Sequence, residues 1–241
     1  MNTDVDSNNI KYNDIELNSL SYEEALKSDK RTYFQSYISL LKNNHLFLFS
    51  FYPNNDYNSR TIKMFLYFYF FSLDLTINAL FFTDETIHQI YEDKGYFNFI
   101  YQIPQIIYSS ILSLILSSII NFLSLTEENV EKLKEEKRTN LEDFNKSIKK
   151  FIKRIKIKFI LFFIITFIIL SFFLFYVSCF CGVYKNTQIY LIKDTLISFA
   201  TSQVYSVFTL LFPPLFRKFA LKAANKDQHY LYKIGQLLEN I

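Results

Sequence analysis

FILFFIITFIILSFFLFYVSCFC, residues Phe159–Cys181, runs for 23 residues without a charge, a proline or a glycine. As a helix rising 1.5 Å per residue it is about 35 Å long, enough to cross a bilayer core of about 30 Å. A helix that is apolar all round for that length belongs in lipid rather than on a soluble domain. This stretch sets the frame in which the other apolar stretches are read.

Three further spans are expected. Met64–Phe82 carries Asp74 and Asn78 within it, Phe99–Leu123 has Pro104 in its first turns, and Thr195–Phe216 ends at Pro213-Pro214, where a double proline stops or kinks a helix. Glycine (3) and proline (4) are scarce in the 241 residues, which favours long helices over loops and strands. The expected fold is all-α, an integral membrane four-helix bundle with cytoplasmic amphipathic helices. Its parts are a disordered tail (1–20), an interfacial amphipathic segment (21–60), a membrane domain (61–217, spans 64–82, 99–123, 159–181 and 195–216) and a cytoplasmic tail (218–241).

Between the second and third spans, 124–158 is a long charged segment. Val130, Leu133, Leu141, Phe144, Ile148, Phe151, Ile152 and Ile155 recur at helical spacing, with a break at Lys137. This reads as an amphipathic helix running into the third span. Two heptads of it also fit a coiled coil.

Basic residues orient the chain. The segment before the first span holds 7 Lys and Arg, the central segment 11 and the C-terminal tail 5, whereas the two remaining loops hold only Lys94, Lys185 and Lys193. The positive-inside rule places both termini and the central segment in the cytoplasm. The first 30 residues contain no apolar run of signal-peptide type, so insertion is expected to rely on the internal spans.

Ahead of the first span, Ser21–Asn44 reads as one helix, with Ser21 and Glu24 at capping-box spacing. Ala25, Tyr33, Phe34, Tyr37, Leu40 and Leu41 form its apolar face, and Lys27, Lys30, Arg31 and Lys42 form the basic complement. With His45–Tyr52, too short to span, it is expected to lie against the cytoplasmic leaflet. The alternative is a packed soluble subdomain. The tail is mildly amphipathic, with Leu231, Ile234, Leu237 and Leu238 on one face.

The candidate site is the intramembrane polar set Asp74, Asn78 and Gln203. An acid within a span costs about 2.5–3.5 kcal/mol on insertion scales, so it is expected to turn inward and find a partner. Asn78 lies one turn on, and Gln203, Ser202 or the serines of the second span are candidate partners. An ion or proton site is one reading. An interhelical hydrogen-bond clamp is the other, and the single acid without a basic partner favours it. Ser109, Ser113 and Ser117 recur every fourth residue, which suits close helix packing more than a pore.

The loop Asp84–Gly95 carries four acids and His88 without EF-hand spacing and reads as a solvated acidic loop. Cys179 and Cys181 lie two apart, where helix geometry opposes a disulfide, and are expected to be buried thiols. His45, His88 and His229 fall in separate regions and make no metal motif. No nucleotide-binding, nucleophile-elbow or zinc-protease motif occurs, so neither catalysis nor a cofactor is expected. A net charge of +3 gives no reason for a nucleic-acid partner.

Three runs together, DKRTYFQSYISLLKNNH (29–45), INALFF with HQIYEDKGYFNFIYQIPQIIYS (77–109), and LIKDTLISF followed by FPPLFR (191–217), resemble an uncharacterised family of protist membrane modules. Such modules often end large surface or repeat proteins. This sequence departs from them in lacking a large ectodomain, as a stand-alone member or a fragment would. The arrangement is also similar to the four-span region of polycystin-family proteins, which implies a non-conducting scaffold and transfers no site residue.

The function expected is therefore a non-enzymatic membrane anchor or scaffold. Its partners would be the lipid bilayer, plus anionic lipid or a helical protein at 124–158. The alternative is a subunit of an ion channel or transporter using Asp74 and Asn78. Four spans would then need homo-oligomerisation or a second chain to enclose a path.

Overall fold

The structure, a computed structural model, describes residues 12–53, 56–82, 99–126, 141–223 and 228–239, together with His88, Glu92, Val130 and Leu133. Every element among the described residues is helical. The chain divides into two compact units, one made of residues up to Asp56 together with those from Gln203 onward, the other of Tyr57–Ser202.

The first unit begins with α1 (Asp14–Ser19), α2 (Tyr22–Ser28), α3 (Tyr33–Asn44) and α4 (Leu46–Phe51). Each of the first three starts with a reciprocal capping box: Asn13 with Glu16, Ser21 with Glu24, and Thr32 with Gln35. Each box satisfies amide donors that a free helix end leaves bare. These boxes correct two expectations. Residues 14–19 form a capped helix rather than part of a disordered tail, and Ser21–Asn44 is two helices rather than one. The break falls at Asp29, whose carboxylate takes the Arg31 backbone N–H at 3.1 Å and its guanidinium at 3.0 Å. His45 starts α4: its Nδ1 accepts from the Leu48 N–H, which places the ring proton on Nε2, 3.2 Å from the Gln203 carbonyl.

The second unit holds α5 (Arg60–Leu80), α6 (Phe99–Ser124), α7 (Leu141–Val183) and the first part of α8 (Gln188–Thr209). In α5, Ile62, Leu66, Tyr69, Leu73 and Thr76 are buried at spacings of three and four, a single stripe. Aromatic edges close the unit. Phe65 meets Phe162, Tyr69 meets Phe173, Tyr67 and Phe71 both meet Phe199, and Phe82 meets Phe180. One unbroken helix of 43 residues, about 65 Å, carries the charged segment from Leu141 into the long apolar stretch. Asn58, Thr126 and Lys158 tie its helices at one place. The Thr126 N–H donates to Asn58 at 2.8 Å, the Thr126 hydroxyl to the Tyr57 carbonyl at 2.7 Å, and Lys158 to the Leu125 carbonyl at 3.0 Å.

Among the described residues, three stretches are long and apolar enough to cross a membrane: Ile107–Ser124, Ser147–Val183 and Gln188–Lys222. Helix α5 is long enough but is not among them, because its lysine, acid, asparagine and tyrosines dilute its hydropathy. On α7, residues such as Phe163, Phe167, Phe172 and Phe175 are exposed, a surface suited to lipid and not to water.

Several boundaries differ from the sequence reading. Helix α8 starts at Gln188, seven residues before the expected span, because Thr187 folds its hydroxyl back onto the Tyr184 carbonyl at 2.9 Å and Gln188 caps the Cys181 carbonyl at 2.8 Å. It ends at Thr209, before the two prolines. Pro213 and Pro214 then open a new helix, α9 (Phe212–Ala223), whose first turn needs no amide donor there. The last helix, α10 (Gln228–Glu239), buries Tyr232 and Gly235 and leaves Leu237 exposed, so the expected Leu231–Leu238 stripe is rotated. Cys179 is exposed, not buried: on a helix apolar all round, hydropathy alone does not choose a face.

Candidate functional site

The described residues hold two polar arrangements, one in each unit. In the Tyr57–Ser202 unit, Asp74 and Asn78 sit one turn apart on α5, both partly buried. The Asn78 amide donates to the Thr195 hydroxyl of α8 at 3.1 Å. Thr195 is fully buried, so this is a dry bond between helices, of the clamp type. Thr195 is the partner the sequence reading missed; it had been placed at the edge of the fourth span, and the earlier start of α8 moves it inside the helix. Asp74 makes no hydrogen bond or ion pair among the described residues. Gln203 belongs to the other unit: its backbone carbonyl meets His45, and its side-chain oxygen is buried without a partner among the described residues. Of the expected set, Asn78 pairs with Thr195 within its own unit.

Several other hydroxyls on these helices bond to their own helix. Ser118, Thr166, Ser171 and Ser178 each donate to the carbonyl four residues back, at 2.7–2.8 Å. Ser109, Ser113 and Ser117 lie on the half-buried side of α6, while Leu114, Ile115 and Phe122 are exposed. The acidic loop 84–95 lies outside the described residues except for His88 and Glu92, an exposed i,i+4 pair 3.7 Å apart. No group of three or more His, Cys, Asp or Glu able to hold a metal occurs among the described residues.

In the first unit, two arginines gather the backbone. Arg31 binds Asp29 through two guanidinium nitrogens at 3.0 Å, the Asn18 side chain at 2.9 Å and the Asp14 carbonyl at 3.0 Å. Lys218 of α9 adds a second cation to Asp29 at 3.3 Å. Burial alone would raise the Asp29 carboxyl, but the Arg31 hydrogen bonds and the charges of Arg31 and Lys218 outweigh it and hold it below its ordinary value. Arg217 binds Glu239 at 3.1 Å, the Leu17 carbonyl at 3.0 Å and the Tyr232 hydroxyl at 2.9 Å. Tyr232 donates onward to the Leu20 carbonyl at 2.9 Å, which also accepts from Gln236. Here burial raises the Glu239 carboxyl, and Arg217 reverses that only in part.

The sequence reading places Arg31 in the basic complement of the helix and Phe34 on its apolar face. The structure buries the Arg31 side chain and leaves Phe34 exposed, with the break at Asp29–Thr32 resetting the helical phase. The signal that would have found the break was present: Thr32-x-x-Gln35 repeats the capping spacing of Ser21-x-x-Glu24.

No protein-family model matches the chain, and neither a curated protein nor a solved structure matches it significantly.

Proposed function

We propose that this chain is a non-enzymatic, multi-pass integral membrane protein that anchors or scaffolds a larger assembly. The observation carrying this reading is the use to which its polar side chains are put. Asn78 bonds across helices to Thr195, and Ser118, Thr166 and Ser171 close onto carbonyls of their own helices. Groups so committed are structural.

Four crossings with both termini in the cytoplasm fit the first unit's own contacts. Leu17 and Leu20 are hydrogen-bonded to Arg217 and Tyr232, contacts that support one compartment for residues on either side of the apolar helices. A shared compartment requires an even number of crossings. Helix α5 would be the fourth, its polar cost lowered by Asn78 pairing with Thr195. The exposed cations Lys149, Lys150, Lys153, Arg154 and Lys156 on α7 would then face cytoplasmic anionic lipid or an acidic helical partner.

One observation favours a second reading, a subunit of an ion channel or transporter: Asp74 has no partner among the described residues. That path would need a second copy or another chain to enclose it. Ion flux into proteoliposomes, wild type beside Asp74→Asn, separates the two. No flux from inserted protein supports the scaffold. Flux above empty vesicles that changes with the substitution overturns it.

A further inference from the structure

Helix α9 is built inside out. Pro213, Pro214, Arg217 and Ala220 face the first unit's interior, where Arg217 is only 4% exposed. The opposite side presents Phe212 at 52%, Leu215 at 37% and Phe219 at 61% exposed, with exposed Lys222 following. At 100° per residue, Phe212, Leu215, Phe219 and Lys222 fall within about 80° of arc, on one stripe. A helix against water partitions the other way, with its arginine out and its phenylalanines in.

We propose that α9 lies in the plane of the membrane interface, with Phe212, Leu215 and Phe219 inserted among acyl chains and Lys222 at the phosphates of anionic lipid. This rests on the membrane reading above and adds a lipid contact to it. Two features commit the stripe to lipid. The helix follows α8 after the two residues Leu210 and Leu211, within a single membrane-capable stretch. The outward apolar residues also run unbroken into it: Val204, Tyr205 and Phe208 at the end of α8 are exposed, and Phe212 continues them. A chain leaving a span is already at interfacial depth, where an amphipathic helix seats its apolar face several ångströms into the boundary. Lys222, at the far end of the stripe, has the reach to lift its ammonium to the headgroups.

The test is lipid-quencher accessibility in the full chain reconstituted into vesicles containing phosphatidylserine. In a Cys179→Ser, Cys181→Ser background, single cysteines replace Phe219, Phe172 on α7, or exposed Glu23 on α2, and carry an environment-sensitive fluorophore. The Phe172 label reports insertion: loss of its emission to mid-chain quenching lipid upholds the membrane reading independently of α9. The expected result at position 219 is loss of emission to lipid quenched near the headgroup, together with protection from aqueous iodide. Glu23 should show the reverse. A label at 219 that iodide quenches as fully as at Glu23 overturns the proposal. So does one shielded from both quenchers, because a second copy or partner protein would then cover the face. Leu215→Cys reads the same stripe if Phe219→Cys fails to reconstitute.

Discussion

Tyr232 stands between Arg217 and the Leu20 carbonyl, accepting from the guanidinium at 2.9 Å and donating to the carbonyl at 2.9 Å. One phenol thus joins α10, α9 and the turn between α1 and α2. The Arg217 guanidinium also lies over the Tyr232 ring, 5.0 Å from its centroid.

Tyr232→Phe keeps the ring and removes both bonds. Leu20 retains Gln236 as a donor, so the expected loss is about 1–3 kcal/mol, from the unmet Arg217 donor. Arg217→Met should cost more, about 3–5 kcal/mol, because it leaves Glu239 buried without its cation. Thermal unfolding of detergent-solubilised protein ranks the two. Equal, negligible effects would show that the N-terminal helices hold to the C-terminal ones by apolar packing alone.

Gly235 is where α10 comes close to α9. A Cβ there would lie 2.7 Å from Arg217 Cγ and 2.9 Å from the Pro213 carbonyl oxygen, and the second atom is backbone that cannot swing aside. Gly235→Ala is expected to destabilise by about 1–3 kcal/mol despite its better helix propensity. Gly182→Ala, with nothing within 4 Å, should stabilise slightly or do nothing. Opposite signs in the same unfolding assay are the expected pattern.

Asp29 makes stability depend on acid. Its folded value lies below the ordinary 3.8, so its contribution is complete above that value and is lost as pH falls through the folded one. Asp29→Asn should therefore lower stability at neutral pH and flatten the acid limb below about pH 4. Melting temperatures of both proteins between about pH 6 and about pH 3 test this; parallel curves would remove Asp29 from the account.

The Asn78–Thr195 bond should be worth about 1 kcal/mol, in the range of interhelical bonds in membranes. A double-mutant cycle of Asn78→Ala and Thr195→Ala measures it. Zero coupling would mean that the bond contributes nothing to holding α5 to α8.

The Tyr69 hydroxyl is buried without a hydrogen-bond partner among the described residues. Tyr69→Phe should accordingly be neutral or stabilising, since it removes a desolvated group and keeps the ring against Phe173. A loss of stability would point to an unseen water or ion on that oxygen.

The spacing Ser21-x-x-Glu24 was a true capping box, and the acid-free run Phe159–Cys181 was a true long helix, continuous with the charged segment before it. Asn78 bonds to Thr195 of another helix, a partner that could not be chosen from sequence. Several helices offered it hydroxyls, and only packing brings one within 3.1 Å.

Sequence by itself determined what is local or additive. Helix caps act over three residues, and the hydropathy of a stretch is a sum over its own side chains, so the all-α class and three membrane-capable stretches were legible. Tertiary structure alone decided which way the amphipathic segments face. Arg31 and Arg217 look like solvated cations in the chain, yet each ends among backbone carbonyls of residues up to 200 positions away. No periodicity encodes such a contact. It forms because a buried guanidinium is stable where carboxylate, hydroxyl and carbonyl oxygens meet its donors, and those acceptors come together only in the folded chain.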